Sequence, residues 1–148
     1  MLSRITRIIR TRVVVSAVLC MGAAAVYADV VVVVGVKSGI KTLTKEQVAG
    51  VYLAKKPYTC ADGDDLLPLD LASADPLRNE FYTKVTGRSA AQLEAYWPDA
   101  MLSGLKSPRP VAYTDIDVVK RMLNQNPDYI AYISKKAVDS SVRIVFAP

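Results

Sequence analysis

The apolar positions divide the chain into an arginine-bearing opening and a long alternation of strand-like and helix-like segments. Residues 30–36 form an unbroken β-branched run around Gly35, closed by the polar Lys37-Ser38-Gly39. A run with no polar alternation predicts a strand covered on both faces, the kind found inside α/β sheets. Thr44-Lys45-Glu46-Gln47 follows as a capping box, with Val48, Val51 and Tyr52 as its apolar stripe, and predicts a helix over 45–54. Residues 55–65 carry Pro57, Gly63 and three acids, so they read as a surface loop ahead of a short strand at 66–69.

Asp75-Pro76 pairs an N-cap acid with a first-turn proline, and Leu77, Phe81 and Val85 then recur every fourth residue until Gly87. Ser89 caps a third helix through Leu93, Tyr96 and Trp97. Pro98 is expected to kink or end it, with Met101 and Leu102 packing beyond. Trp97 reads as core. Residues 107–110 form a proline-rich bend. Thr114-Asp115 opens a fourth helix whose Ile116, Val119, Met122 and Leu123 share a face, and 129–133 and 142–146 are two final strands. Strands and helices intermix throughout, so the fold class is α/β.

The opening segment changes how the charge is read. Arg4, Arg7, Arg10 and Arg12, with no acid among them, lead into an apolar run and then Val26-Tyr27-Ala28, the three parts of a cleavable secretory signal over residues 1–28. The apolar run is about 13 residues, short of the roughly 20 that a membrane helix needs. Cys20 leaves with this leader, and residues 29–148 are expected to form one domain outside the cytoplasm. The whole chain has a formal charge of +5, but residues 29–148 hold 15 basic against 14 acidic residues, or +1. The basic character therefore belongs to the leader, and nucleic acid is excluded as a partner.

Chemistry is limited by what is missing. The chain has no histidine, hence neither the usual metal ligand nor the usual neutral-pH base. Cys60 is the only cysteine after the leader and reads as a loop thiol, with no partner for a disulfide. Asp62, Asp64 and Asp65 lack the alternation and distant glutamate of a calcium loop and read as a solvated turn. No glycine-rich phosphate loop follows the first strand. These absences predict a non-catalytic protein without a metal or other cofactor. The junctions at Ser38-Gly39, 73–78 and Thr114 could point backbone N–H groups at an oxyanion, or could be ordinary helix caps.

Four stretches, taken in order, carry a resemblance. Leu43-Thr44-Lys45-Glu46-Gln47-Val48-Ala49-Gly50-Val51-Tyr52-Leu53, then Leu67-Pro68-Leu69-Asp70, then Pro76-Leu77-Arg78-Asn79-Glu80-Phe81-Tyr82 resemble the short phosphate-ABC-transporter substrate-binding-like proteins. Pro127-Asp128-Tyr129-Ile130-Ala131-Tyr132-Ile133 resembles their late strand. The resemblance implies a single compact type II periplasmic-binding-protein-like domain, a mixed sheet flanked by about four helices. It also implies a site: Lys37, Ser38 and Gly39 match one anion-binding segment, Ser73, Ala74 and Asp75 the other, and Arg78 is the basic residue one turn into the helix. Where full-length members place an arginine and a serine, this chain has Leu71 and Asp75, and both changes oppose anion capture. A carboxylate about 4 Å from a bound anion repels it by about 4 kcal/mol at an effective dielectric of 20. Two functions follow. One is a monomeric periplasmic solute-binding-like protein for a small oxyanion, phosphate by resemblance, working with a membrane transporter. The other is an adaptor or sensor that contacts a membrane protein and carries a vestigial anion pocket.

Overall fold

The computed structural model describes residues 29–107 and 109–148; the leader at 1–28, with Cys20, lies outside the described residues. The elements are β1 (Val30–Gly35), α1 (Lys45–Tyr52), β2 (Leu67–Leu71), α2 (Pro76–Thr86), α3 (Ala90–Leu102), β3 (Val111–Tyr113), α4 (Ile116–Gln125), β4 (Tyr129–Ser134) and β5 (Val142–Phe146). The five strands form one mixed sheet in the order β3-β2-β4-β1-β5.

The valine run behaves as its composition demands. All six residues of β1 are buried. Val30, Val32 and Val34 face a cluster built with α1, α2 and α3, while Val31 and Val33 face a second cluster built with α4. Gly35 ends the strand because α4 crosses there at backbone distance: a Cβ at this position would lie 1.9 Å from the Leu123 carbonyl oxygen. The larger cluster centres on four rings. Phe81 stacks on Tyr132 at 3.8 Å between centroids, and Tyr52 meets Phe81 edge-on at 4.7 Å. Such pairs add about 0.5–1.5 kcal/mol each beyond their buried area.

The caps form as their residues dictate. Thr44 and Gln47 close a reciprocal capping box on α1, and Ser89 and Gln92 do the same on α3. Gly87 ends α2 at φ 71°, a conformation that glycine adopts without steric cost. Asp115 rather than Thr114 caps α4, accepting from the Asp117 amide.

One expectation needs correction. The third helix runs through Pro98 to Leu102, so the proline neither ends it nor gives its last turn a place in the core. Met101 and Leu102 are 59% and 88% exposed. The buried stripe of α3 stops at Leu93 and Trp97, and the final turn is left outside the core. β3 is not among the expected elements. Val111-Ala112-Tyr113 follows a proline bend and keeps its first two side chains exposed, so it carries no hydrophobic signal; it is a strand because its backbone pairs with Leu69–Leu71 of β2.

Strand direction decides where the loops emerge. β1 is antiparallel to both of its neighbours, β4 and β5, whereas β2 is parallel to β3 and to β4. The C-terminal ends of β2, β3, β4 and β5 therefore share one edge of the sheet, and the C-terminal end of β1 lies at the other. Among the described residues, no helix is long and apolar enough to cross a membrane.

Candidate functional site

The strand directions separate the two halves of the expected anion site. Val34 of β1 sits opposite Ile130, which sits opposite Pro68 of β2. From that row the chain runs on to Lys37, Ser38 and Gly39 in one direction and to Ser73, Ala74 and Asp75 in the other. Two loops leaving opposite edges of one sheet cannot hold the same small ion.

At the β2 edge, the start of α2 is already satisfied from within. A helix begins with orphan backbone donors that a bound anion can use. Here the Asp75 amide donates to the Ala72 carbonyl at 2.9 Å, Pro76 has no N–H, the Leu77 amide donates to the Asp75 carboxylate at 2.9 Å, and the Arg78 amide donates to the Asp75 carbonyl at 3.1 Å. The Asp75 side chain thus stands where an oxyanion would be received. Ser73 and Ala74 lie exposed in the loop before it.

Arg78 is equally committed. It is 5% exposed and its Nε donates to Asp70 Oδ2 at 3.2 Å, with a second, longer contact from its Nη1 to Glu94 at 3.4 Å. Asp70 is buried to the same degree. Its Oδ2 also accepts from the Tyr82 hydroxyl at 3.0 Å, and its Oδ1 accepts from the Tyr132 hydroxyl and from the Leu71 amide, the latter at 2.8 Å. Burial works against the Arg78 charge, but the attraction of Asp70 outweighs it and the guanidinium stays protonated. Burial first, and then the Asp70 charge, push the Tyr82 and Tyr132 phenols upward, so both remain hydroxyl donors. Asp70, Tyr82 and Tyr132 are the functional-looking residues that sequence reasoning missed. One signal was available: an acid inside the apolar strand Leu-Pro-Leu-Asp-Leu is buried, and a buried carboxylate needs a cation and donors.

At the opposite edge, Ser38 and Gly39 line a cavity of about 430 Å³ with Lys41, Tyr58, Asp62 and Asp128. Ser38 is buried and occupied locally: its amide donates to the Gly35 carbonyl at 3.0 Å, and its hydroxyl accepts weakly from the Ile40 amide at 3.4 Å. Arg143 fixes this loop by donating to the carbonyls of Ser38 and Ile40, both at 2.6 Å. Lys37 is exposed. The far wall is acidic. One donor atom each from Cys60, Asp62 and Asp128 falls within 4.8 Å of the others, a set that could hold a cation. Burial, then Asp128 and Asp62, push the Cys60 thiol up to about 11, so it is protonated at neutral pH and ligates only when a cation displaces its proton. Burial and the neighbouring Asp62 and Asp64 raise Asp128 as well. An anion entering here meets carboxylates.

The five-stranded mixed sheet with helices on both faces is the α/β fold that the motifs implied, and solved substrate-binding proteins share it. Solved structures with this fold include an ABC-type phosphate transport receptor from Vibrio cholerae, at 17% identity and TM-score 0.62 over 79% of this chain and 45% of that one. A candidate phosphate ABC transporter substrate-binding protein with bound phosphate, from Clostridium perfringens, matches at 17% identity and TM-score 0.60 over 79% and 44%. A candidate phosphate-binding protein from Planctomyces limnophilus matches at 11% identity and TM-score 0.53 over 79% and 40%. The chain spans less than half the length of these proteins. No protein-family model and no curated protein matches it.

Proposed function

We propose that this chain is an exported, non-catalytic, solute-binding-protein-like module of the periplasm whose anion seat is closed by its own carboxylates. On this reading it works by contact, as an adaptor or sensor for a membrane protein, rather than by carrying phosphate. One observation supports it above the others: the amide of Asp75, the proline nitrogen and the amides of Leu77 and Arg78 leave the start of α2 without a free donor. The nearest buried cation, Arg78, is held by Asp70 at 3.2 Å. The fold itself, shared with substrate-binding proteins, supports the solute-binding lineage and the periplasmic location.

A second reading keeps oxyanion capture, with the Ser73 and Ala74 amides and Arg78 receiving phosphate. It is favoured by the bound phosphate in the Clostridium perfringens protein. Titration calorimetry on the chain without its leader separates the two. The contact reading expects no saturable heat with phosphate or sulfate at concentrations of about 1–10 mM, and cross-linking in an envelope extract should capture one membrane protein reproducibly. Saturable heat with phosphate would overturn it in favour of capture.

A further inference from the structure

We infer that the buried pocket around the Asp70 carboxylate is a complete oxyanion seat that the chain fills with its own side chain, and that Asp70 is the residue that shuts free carboxylates out of it. The inference rests on the reading of the α2 region as closed from within, and it identifies what closes it. The donors are of the kind that hold an anion: a guanidinium N–H, two phenol O–H groups and a backbone N–H. They are shared two to each oxygen, with Arg78 and Tyr82 on Oδ2 and Tyr132 and Leu71 on Oδ1. That division suits a planar, two-oxygen group.

The donors also come from three separate elements, β2, α2 and β4, so the seat is set by the fold and not by residue 70 alone. The rings that carry two of them are fixed independently of the carboxylate. Tyr132 is stacked on Phe81 at 3.8 Å, and Tyr82 meets Phe81 edge-on at 5.2 Å. Tyr132 also accepts from the Leu71 amide at 3.2 Å, which orients its hydroxyl. If the Asp70 side chain is cut back, the donors stay in place around a space the size of the carboxylate that was removed. The ligand class for that space is a small planar monocarboxylate such as formate. A tetrahedral phosphate or sulfate needs more room than the truncation opens.

The test compares the chain as it stands with Asp70→Ala and Asp70→Asn, following thermal unfolding in sodium formate or in sodium chloride at matched ionic strength. At about 100 mM formate the Asp70→Ala midpoint should rise saturably by about 4 °C or more over its value in chloride, because a ligand that binds only the folded state stabilises it. The parent chain and Asp70→Asn, whose seats are filled by a carboxylate and by an isosteric amide, should not respond. Adding Tyr132→Phe to Asp70→Ala should raise the formate concentration needed for half of the response about tenfold through the lost hydroxyl. If Asp70→Ala does not fold in chloride, it should refold in formate. An Asp70→Ala variant that responds to formate no more than to chloride, or that refolds in neither salt, overturns the inference. Phosphate heat from the parent chain alongside a formate-responsive Asp70→Ala would remove the contact reading and leave the internal seat standing.

Discussion

Replacing Arg78 by methionine tests whether the Asp70–Arg78 pair holds the domain together. Both side chains are 6% exposed and 3.2 Å apart, so the substitution leaves a carboxylate buried without its cation. Removing one partner of a buried ion pair costs about 3–5 kcal/mol. The Tyr82, Tyr132 and Leu71 donors still reach Asp70, which places the expected loss near the lower bound, about 3 kcal/mol. The contact to Glu94 adds little, because that side chain is 55% exposed, so Glu94→Gln should cost less than about 1 kcal/mol. For a domain of this size, about 3 kcal/mol lowers the thermal midpoint by about 12 °C. Urea unfolding followed through the single tryptophan, Trp97, measures it directly. The decisive comparison is the double variant Asp70→Asn with Arg78→Met. If the cost comes from an uncompensated charge, neutralising the acid as well should recover part of the loss, so the double variant is more stable than Arg78→Met alone. A loss under about 1 kcal/mol for Arg78→Met, or a double variant less stable than it, would refute the argument.

Two other features give separate tests. Gly35→Ala places a methyl 1.9 Å from the Leu123 carbonyl oxygen, which is backbone and cannot rotate away, so α4 must move off β1. The expected cost is about 3 kcal/mol or more, read as a lowered melting midpoint, and a loss under about 1 kcal/mol would show that α4 does not cross β1 so closely. Cys60, with its thiol pushed up to about 11 from 9.0, should react slowly with an aromatic disulfide at neutral pH. The thiolate fraction falls about 100-fold and the higher basicity returns about tenfold, leaving a net slowing of about tenfold against an unperturbed thiol. The rate should keep climbing with pH up to about 11, and Asp128→Asn should raise it at neutral pH. Because the folded thiol holds its proton more tightly than the unfolded one, its small stabilising contribution is complete below about pH 9 and is lost between there and about 11. A rate at neutral pH equal to that of a free thiol would contradict the burial of Cys60 and its acidic surroundings.

The elements that could be read from the sequence are those whose signal is local. The valine run needs both faces covered, the Thr44–Gln47 box and the Asp75-Pro76 pair announce helix starts, and Gly87 announces a stop. What could not be read is what depends on a partner elsewhere in the chain. β3 exists only because the β2 backbone offers it a ladder, and its exposed Val111 and Ala112 give no periodic cue. Met101 falls on the same four-residue spacing as Leu93 and Trp97, yet it is exposed, because periodicity fixes a face of the helix and not how far the core extends beneath it.

The arrangement of the candidate site was not legible for the same physical reason, compounded by strand direction. Lys37-Ser38-Gly39 and Asp75 with Arg78 each have the composition of an anion loop, and composition does not say that β1 runs against β2. The sign of the field at Arg78 is likewise set by residues that the chain brings from a distance. Asp70 lies eight positions before it, and Tyr132, which shares the same carboxylate, lies 62 positions after Asp70. A lone arginine one turn into a helix reads as available charge. The same arginine, with its Nε on a buried carboxylate that two phenols also hold, has its charge compensated by the chain itself. Binding there requires first displacing an ion pair that costs about 3–5 kcal/mol to break, a penalty equal to about two to four powers of ten in affinity. A millimolar seat penalised by that much does not fill at physiological concentrations, and on that ground contact, not cargo, is the function to test first.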